Sequence, residues 1–267
     1  MSDTQRIDKL LVQRGLVDSR SRAKARIMAG DAFVDDQRVD KAGTQIDVGA
    51  DIELRGDDMP YVSRGGLKLE AGLKRFDVDP EDRVAIDVGA STGGFTDCLL
   101  QRGTKKVYAV DVGYGQLAWK LRNDDRVVVF ERTNIRHLDD DAIDEPCSLA
   151  TIDTSFISLR IVLPNTLRFL THDADIIALI KPQFEAGKDR VGKGGVVGDD
   201  EVRRQVIDEV IDAASEMGLE YVDGVDSPVH GPAGNIEHVA HFRRSNRQRS
   251  DGQRSEVGGQ KSEKQDD

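Results

Sequence analysis

The sequence is poor in residues that ligate, span or stack. Of its 267 residues two are cysteine, Cys98 and Cys147, one is tryptophan, Trp119, and aromatic residues make up 5%. Neither cysteine has a Cys or His at ligand spacing, which excludes a cysteine metal cluster and leaves both as small buried apolar residues. The five histidines, His137, His172, His230, His238 and His241, are scattered, so no metal site is expected. No apolar run approaches the ~20 residues that span a bilayer. The opening Met1-Ser-Asp-Thr-Gln-Arg6 has no apolar stretch of signal-peptide type. A soluble cytoplasmic protein is the expectation.

What is abundant is charge, with a net value of -11 carried by 36 Asp and 13 Glu against 25 Arg and 13 Lys. An Asp-rich, Lys-poor surface suits a high-salt cytoplasm, where a hydrated acidic shell keeps proteins soluble. Local charge departs from this average. Residues 6 to 26 carry Arg6, Lys9, Arg14, Arg20, Arg22, Lys24 and Arg26 against only Asp8 and Asp18. Ile7, Leu10 and Leu11, then Ala23, Ala25 and Ile27 beyond Gly15, supply apolar faces at helical spacing and predict helices over 6 to 14 and 19 to 28, the second capped by Asp18 or Ser19. Short strands are predicted at Ala32-Phe-Val, Thr44-Gln-Ile-Asp-Val and Ile52-Glu-Leu. Arg6-Ile-Asp-Lys-Leu-Leu-Val, Ser19-Arg-Ser-Arg-Ala-Lys-Ala-Arg-Ile-Met-Ala-Gly and Phe33-Val-Asp resemble the S4 domain, a small α+β RNA-binding module. Two arginine-rich helices side by side form a shaped basic patch for RNA phosphates, with Arg6, Lys9, Arg20, Arg22, Lys24 and Arg26 as the candidate contacts.

The organisation expected is a module over 1 to 57, a larger domain over 58 to 245 and a disordered tail over 246 to 267, which has one aliphatic residue, Val257. In the larger domain, helices are predicted at 66 to 76, 94 to 101, 114 to 121, 158 to 170 and 200 to 217. Strands are predicted at 84 to 88, 107 to 111, 127 to 130, 149 to 153, 176 to 180, 219 to 226 and 236 to 243. Such alternation gives an α/β fold with a mostly parallel sheet between helices. The last two strands have no helix between them, so the final one should run antiparallel, the topology of class I (Rossmann-like) methyltransferases.

The unit from Val84 to Asp111 reads as a strand, a glycine turn opening a helix, and a second strand ending on an acid. A dinucleotide fingerprint needs Gly-x-Gly-x-x-Gly, whereas this turn is spaced Gly89-x-x-x-Gly93-Gly94. Asp87, just before the turn, would repel a pyrophosphate but suits the ammonium of a methionine moiety. Asp111 stands where a carboxylate takes ribose hydroxyls. S-adenosylmethionine is therefore the expected cofactor, held by Asp87, Gly89, Ala90, Ser91, Thr92, Gly93, Gly94 and Asp111, with Asn134 either approaching the adenine or forming a turn. Gly187 to Lys193 nearly spells a phosphate loop, but Gly194 follows where a hydroxyl is needed for Mg²⁺. Lys188, Arg190 and Lys193 read instead as a mobile basic loop over an RNA backbone.

Ligands of open α/β sheets bind beyond the carboxyl ends of the strands. Asp153 and Lys181 end two strands, Glu237 opens the antiparallel one, and Lys68 lies near the start of the first helix, so two lysines and two acids converge on one edge. A ribose 2′-hydroxyl needs a base on its proton, and a lysine serves when burial or a second cation destabilises its ammonium form. Asp153-Thr-Ser-Phe lacks the prolines with which amino-group methyltransferases grip a base amine. Ser63-Arg-Gly-Gly-Leu-Lys68, Asp87-Val-Gly-Ala-Ser-Thr-Gly-Gly-Phe, Asp153-Thr-Ser-Phe-Ile-Ser-Leu and Ile180-Lys-Pro-Gln-Phe-Glu resemble the TlyA (hemolysin A) family, in which an S4 domain precedes an FtsJ-like ribose 2′-O-methyltransferase. The resemblance implies a catalytic tetrad of Lys68, Asp153, Lys181 and Glu237 with Lys181 as base, S-adenosylmethionine as cofactor, and cytidine ribose in ribosomal RNA as substrate. A non-catalytic RNA-binding or ribosome-assembly factor is the alternative. A membrane lysin is disfavoured by the lack of an apolar span.

Overall fold

The computed structural model describes residues 3 to 17, 19 to 55, 59 to 231 and 233 to 244; the predicted tail lies outside them. In the amino-terminal module, helices α1 (Ile7–Gln13) and α2 (Arg20–Ala29) pack Ile7, Leu10, Leu11, Ala23 and Ile27 into one core with Ala32, Val34 and Ile52. Ser19 caps α2 by accepting from the Arg22 amide, and Gly30 ends it at φ +83°. Strands β2 (Ala32–Val34), β3 (Gln37–Arg38) and β5 (Ile52–Leu54) form a three-stranded sheet in the order β3-β2-β5. A strand absent from the sequence prediction, β1 (Thr4–Arg6), pairs antiparallel with β4 (Gln45–Asp47).

The larger domain carries α3 (Gly65–Phe76), β6 (Val84–Val88), α4 (Gly94–Gln101), β7 (Lys106–Val110), α5 (Trp119–Arg122), β8 (Val127–Phe130), β9 (Cys147–Ile152), α6 (Leu159–Thr166), β10 (Leu170–Ile180), α7 (Pro182–Glu185), α8 (Asp200–Glu216), β11 (Leu219–Asp226) and β12 (His238–Arg244). Its seven strands lie in the order β11-β12-β10-β9-β6-β7-β8. Pairing is parallel from β10 to β8, while β12 runs antiparallel to both β10 and β11. Every residue of β6 is buried, because helices cover both faces of a central parallel strand. One core gathers Ile86, Tyr108, Ile152 and Phe242; the other gathers Leu69, Leu73, Leu99 and Ile177 under α3 and α4. The expected class I methyltransferase architecture is the one observed.

The helix expected over 114 to 121 is confined to α5. Upstream, the Gly113 amide donates to Asp111 Oδ1 at 2.6 Å and the Gly115 amide to Glu131 Oε1 at 2.8 Å. Those carboxylates satisfy the donors a helix would use, and Gly115 sits at φ +66°. The helix expected to 170 ends at Thr166 and tightens into a 3₁₀ turn over Leu167–Phe169, after which β10 starts earlier than predicted.

At the amino end of the parallel ladder an ionic knot ties β10 and β12 to the residue that leads into β6. Asp175 accepts from Arg83 Nη1 at 2.9 Å, His241 Nε2 lies 2.8 Å from it, and Arg243 Nε lies 3.3 Å away. Burial alone would raise the Asp175 pKa, but the hydrogen bonds from His241 and Arg83 prevail and lower it to about 2. A depressed carboxyl contributes stability above its unfolded pKa and loses it as pH falls through the folded one. Asp175→Asn should cost roughly 3 kcal/mol at neutral pH, with a deficit constant between pH 7 and 5 that narrows below pH 4, read by urea denaturation across pH.

Candidate active site

Burial of charge shapes the carboxyl edge of the sheet. Lys68 and Lys181 are each 8% exposed, and Glu237 is 1% exposed. Unpaired, such groups would cost several kcal/mol each. The fold pairs them one to one: Lys68 Nζ lies 2.5 Å from Glu237 Oε2, and Lys181 Nζ lies 2.5 Å from Asp153 Oδ1 while donating to Ser155 Oγ at 3.0 Å. Each lysine is therefore oriented by its own carboxylate, a more specific arrangement than the lysine pair anticipated from sequence. Lys68, Asp153 and Lys181 line a cavity of about 270 Å³, and Glu237 stands behind Lys68.

The glycine turn supplies a further part of the lining, through Gly89, Ala90, Ser91, Thr92 and Gly94. Gly89 has φ +88°, and a Cβ there would stand 2.6 Å from the Asp153 carbonyl oxygen. The turn thus approaches the end of β9 as closely as backbone allows. Gly94 lets α3 pack onto α4, since a Cβ there would meet Ser63 Oγ at 2.2 Å. Gly93, at φ +95°, does not line the cavity but rests on Leu117 and Leu121.

Asp111 lines an adjoining depression with Ser91, Gly113, Gln116, Leu117 and Glu131. Its oxygens accept from the Ser91 and Gly113 amides, at 2.8 and 2.6 Å, which fixes the carboxylate and leaves it lone pairs for ribose hydroxyls. Glu131 and Gln116 escaped the sequence reading. The available signal for Glu131 was an acid directly after a predicted strand, as for Asp111.

Besides Gly93, two residues assigned to the cofactor from sequence line neither hollow. Asp87 is fully buried and lines neither hollow; Thr96 Oγ1 donates to one of its oxygens at 2.6 Å and Thr151 Oγ1 to the other at 3.1 Å. Burial pushes its pKa up to about 7, against the hydrogen bonds from Thr96 and Thr151. It ties β6, α4 and β9 together and so positions the turn from below. Asn134 forms a turn, its Oδ1 accepting from the Arg136 amide at 3.1 Å, and lies outside both hollows.

The basic residues also separate. Arg6 and Arg20 both bind buried Asp8, with Arg20 Nη2 2.8 Å from its carboxylate. Arg22 donates to the Met59 carbonyl at 2.7 Å. Arg26, 4% exposed, pairs with Asp31 and is structural rather than a surface contact, because it stands three residues after buried Ala23 on the core side of α2. Lys9 and Lys24 are exposed. Arg190 is engaged with Glu209 of α8 at 2.7 and 2.9 Å, and buried Asn235 holds the loop at Gly195 and Val197. The basic loop expected there is thus anchored at Arg190, Gly195 and Val197. Lys193 is exposed, and the Lys188 side chain lies outside what is described.

Strand order, glycine turn and acid-ended strands define a class I methyltransferase. Residues 61 to 244 match the model of the FtsJ-like methyltransferases and residues 5 to 52 that of the S4 domain. The chain is 46% identical over 244 residues to the 16S/23S rRNA (cytidine-2′-O)-methyltransferase TlyA of Mycobacterium tuberculosis, covering 91% of each. It is 41% identical over 238 residues to hemolysin A of Brachyspira hyodysenteriae, covering 89% of this chain and 99% of that one. A solved structure of a hemolysin-named protein from Streptococcus thermophilus superposes with a TM-score of 0.73 at 43% identity, over 92% of this chain and 90% of the other. The chain belongs to the TlyA family of FtsJ-like methyltransferases.

Gly89→Ala should abolish measurable binding of S-adenosylmethionine by calorimetry and destabilise the fold by more than 1 kcal/mol, since its Cβ enters the Asp153 backbone at a strained φ. In the amino-terminal module, Arg26→Ala should lower the melting temperature. Lys24→Ala should leave it unchanged and weaken RNA binding, measured by filter binding with the same RNA.

Proposed function

We propose that this chain transfers a methyl group from S-adenosylmethionine to the 2′-hydroxyl of a cytidine ribose in ribosomal RNA. The observation that carries the reading is the pair of buried lysine–carboxylate bridges in the same cavity as the glycine turn. Its substrate class follows the M. tuberculosis relative, whose name states cytidine 2′-O-methylation of 16S and 23S rRNA.

The hollows fit the cofactor: Asp111 and Glu131 present acceptors where an adenosine would lie, and the turn lines the cavity with glycine at Gly89 and Gly94 and only small side chains between them. When bound, S-adenosylmethionine supplies an electrophilic methyl on a cationic sulfur. Lys181 Nζ, fixed by Asp153 and Ser155, receives the hydroxyl proton as the 2′-oxygen attacks, acting as the neutral amine after its ammonium has released a proton to solvent. Lys68, locked by Glu237, is a donor toward that oxygen and sets its position. Aimed donors that need no reorganisation are worth ~3 kcal/mol apiece in a water-poor site. The amino-terminal module supplies the RNA grip through Lys9, Lys24 and the outer faces of Arg6 and Arg20, with exposed Lys193 adding a cation on the larger domain, and cytoplasmic ribosomal subunits as the partner. Among the described residues no helix is long and apolar enough to cross a membrane.

Incubation of the protein with unmodified ribosomal subunits and methyl-labelled cofactor, at low and at molar salt, should place label on a ribose. Lys181→Ala should lower the rate at least a hundredfold while cofactor affinity stays within about threefold. Cofactor binding with no transfer to either subunit would favour the assembly-factor alternative.

A further inference from the structure

Among the described residues four basic side chains line the main cavity, and they differ in what they face. Lys68 and Lys181 are committed to Glu237 and Asp153. Arg64 and His230 line the same cavity, are exposed, and among the described residues their side chains make no hydrogen bond or ion pair. They enter from different elements. Arg64 immediately precedes α3, one turn before Lys68. His230 belongs to the connection from β11 to β12, and the sheet order puts that connection at the edge away from β7 and β8, where Asp111 and Glu131 mark the adenosine side.

The His230 connection is built rather than loose. Ser227 Oγ donates to the Val229 carbonyl at 2.7 Å and accepts from the Val229 amide at 3.2 Å. The Ser227 amide donates to the Glu237 carbonyl at 2.8 Å, and the Gly231 amide to the Asn235 carbonyl at 2.9 Å. A Cβ at Gly231 would stand 2.7 Å from Glu237 Oε1, so the carboxylate that holds Lys68 also packs on the backbone carrying His230. One element therefore sets both the Lys68 ammonium and the imidazole.

The reacting hydroxyl brings an anion with it. In RNA the 2′-oxygen and the 3′-phosphate sit on adjacent ribose carbons, so a hydroxyl delivered to Lys181 carries a phosphodiester into the mouth of the same cavity. Asp153 is the one carboxylate lining that cavity and is already paired. A guanidinium fork matches phosphate oxygens, and an imidazole N–H adds a further donor. Resting on the reading of the cleft as a ribose methylation site, we infer that Arg64 and His230 form the receptor for the phosphodiester attached to the target ribose, positioning residues that hold the nucleotide while Lys181 acts on its hydroxyl.

Three measurements on the full chain test this. In single-turnover methylation at saturating cofactor, Arg64→Ala should raise the subunit concentration for half-maximal rate about tenfold and reduce the log-log salt slope by about 0.7, the share of one phosphate contact. Arg64→Lys should fall between, keeping charge without the fork, and His230→Gln should be milder than His230→Ala. Calorimetry should show unchanged affinity for S-adenosylmethionine; a parallel loss would make Arg64 a receptor for the methionine carboxylate and overturn the assignment. Independently of turnover, with S-adenosylhomocysteine present, the His230 imidazole resonances should respond to cytidine 3′-monophosphate at lower concentration than to cytidine, a difference lost in Arg64→Ala. Equal responses would overturn the phosphate receptor even if methylation proceeds. Failure of the wild type to methylate ribosomal subunits would instead count against the proposed function, leaving the nucleotide titration to decide the receptor.

Discussion

Two lysines are taken out of water at one edge of a sheet, and each requires a carboxylate there. Pairing Lys68 with Glu237 and Lys181 with Asp153 joins the helix before the sheet, the two strands β9 and β10, and the start of the antiparallel strand β12. Remove one partner and a buried charge is stranded, which is why the antiparallel insertion of β12 between β10 and β11 matters for chemistry as well as for topology. Only that direction of travel brings Glu237 to the edge where the parallel strands end.

The glycine turn is subordinate to the same edge. Gly89 touches the Asp153 carbonyl at a distance no side chain permits, and Asp87 below it is bound by Thr96 and Thr151. The glycine turn and the end of β9 are thereby one rigid piece, with Asp87 as the buried tie. In the proposed reaction, such preorganisation keeps donors aimed at the reacting oxygen without reorganisation.

Basic residues show how tertiary structure redistributes what composition lumps together. Of the six assigned to RNA in the first module, Arg26 is buried against Asp31, Arg22 binds a backbone carbonyl near the linker, and Arg6 and Arg20 share Asp8. Two bridges to one buried acid hold Asp8 well below the usual carboxylate range, the hydrogen bond from Arg6 overcoming the cost of burial. Pinned guanidiniums still present their outer edges, which makes a stiff basic surface rather than a flexible one. Arg190, read as part of a mobile loop, is likewise pinned by Glu209. Cations of this second kind stabilise the frame, while Arg64 and His230 stay free for a ligand.

Most of the scaffold was legible along the chain because periodicity and turn chemistry are local. The strand at Val84, the helix after Gly93, the parallel alternation and the convergence of two lysines and two acids on one edge all follow from spacing and from the rule that such sheets bind at their carboxyl edge. The failures share a cause. The helix expected from 114 was replaced by a loop because Asp111 and Glu131, brought together by β7 and β8, capture the Gly113 and Gly115 amides. Asn134 became a turn former and Asp87 a buried tie for the same reason: which partner a polar side chain finds depends on the neighbouring strand. The sequence by itself determined the element order, the residue types at the reactive edge and the family, since these need only local pattern. The tertiary structure alone decided which lysine meets which carboxylate, which arginines are spent on the frame, and which cations remain open in the cleft, because burial and pairing are properties of elements distant in sequence.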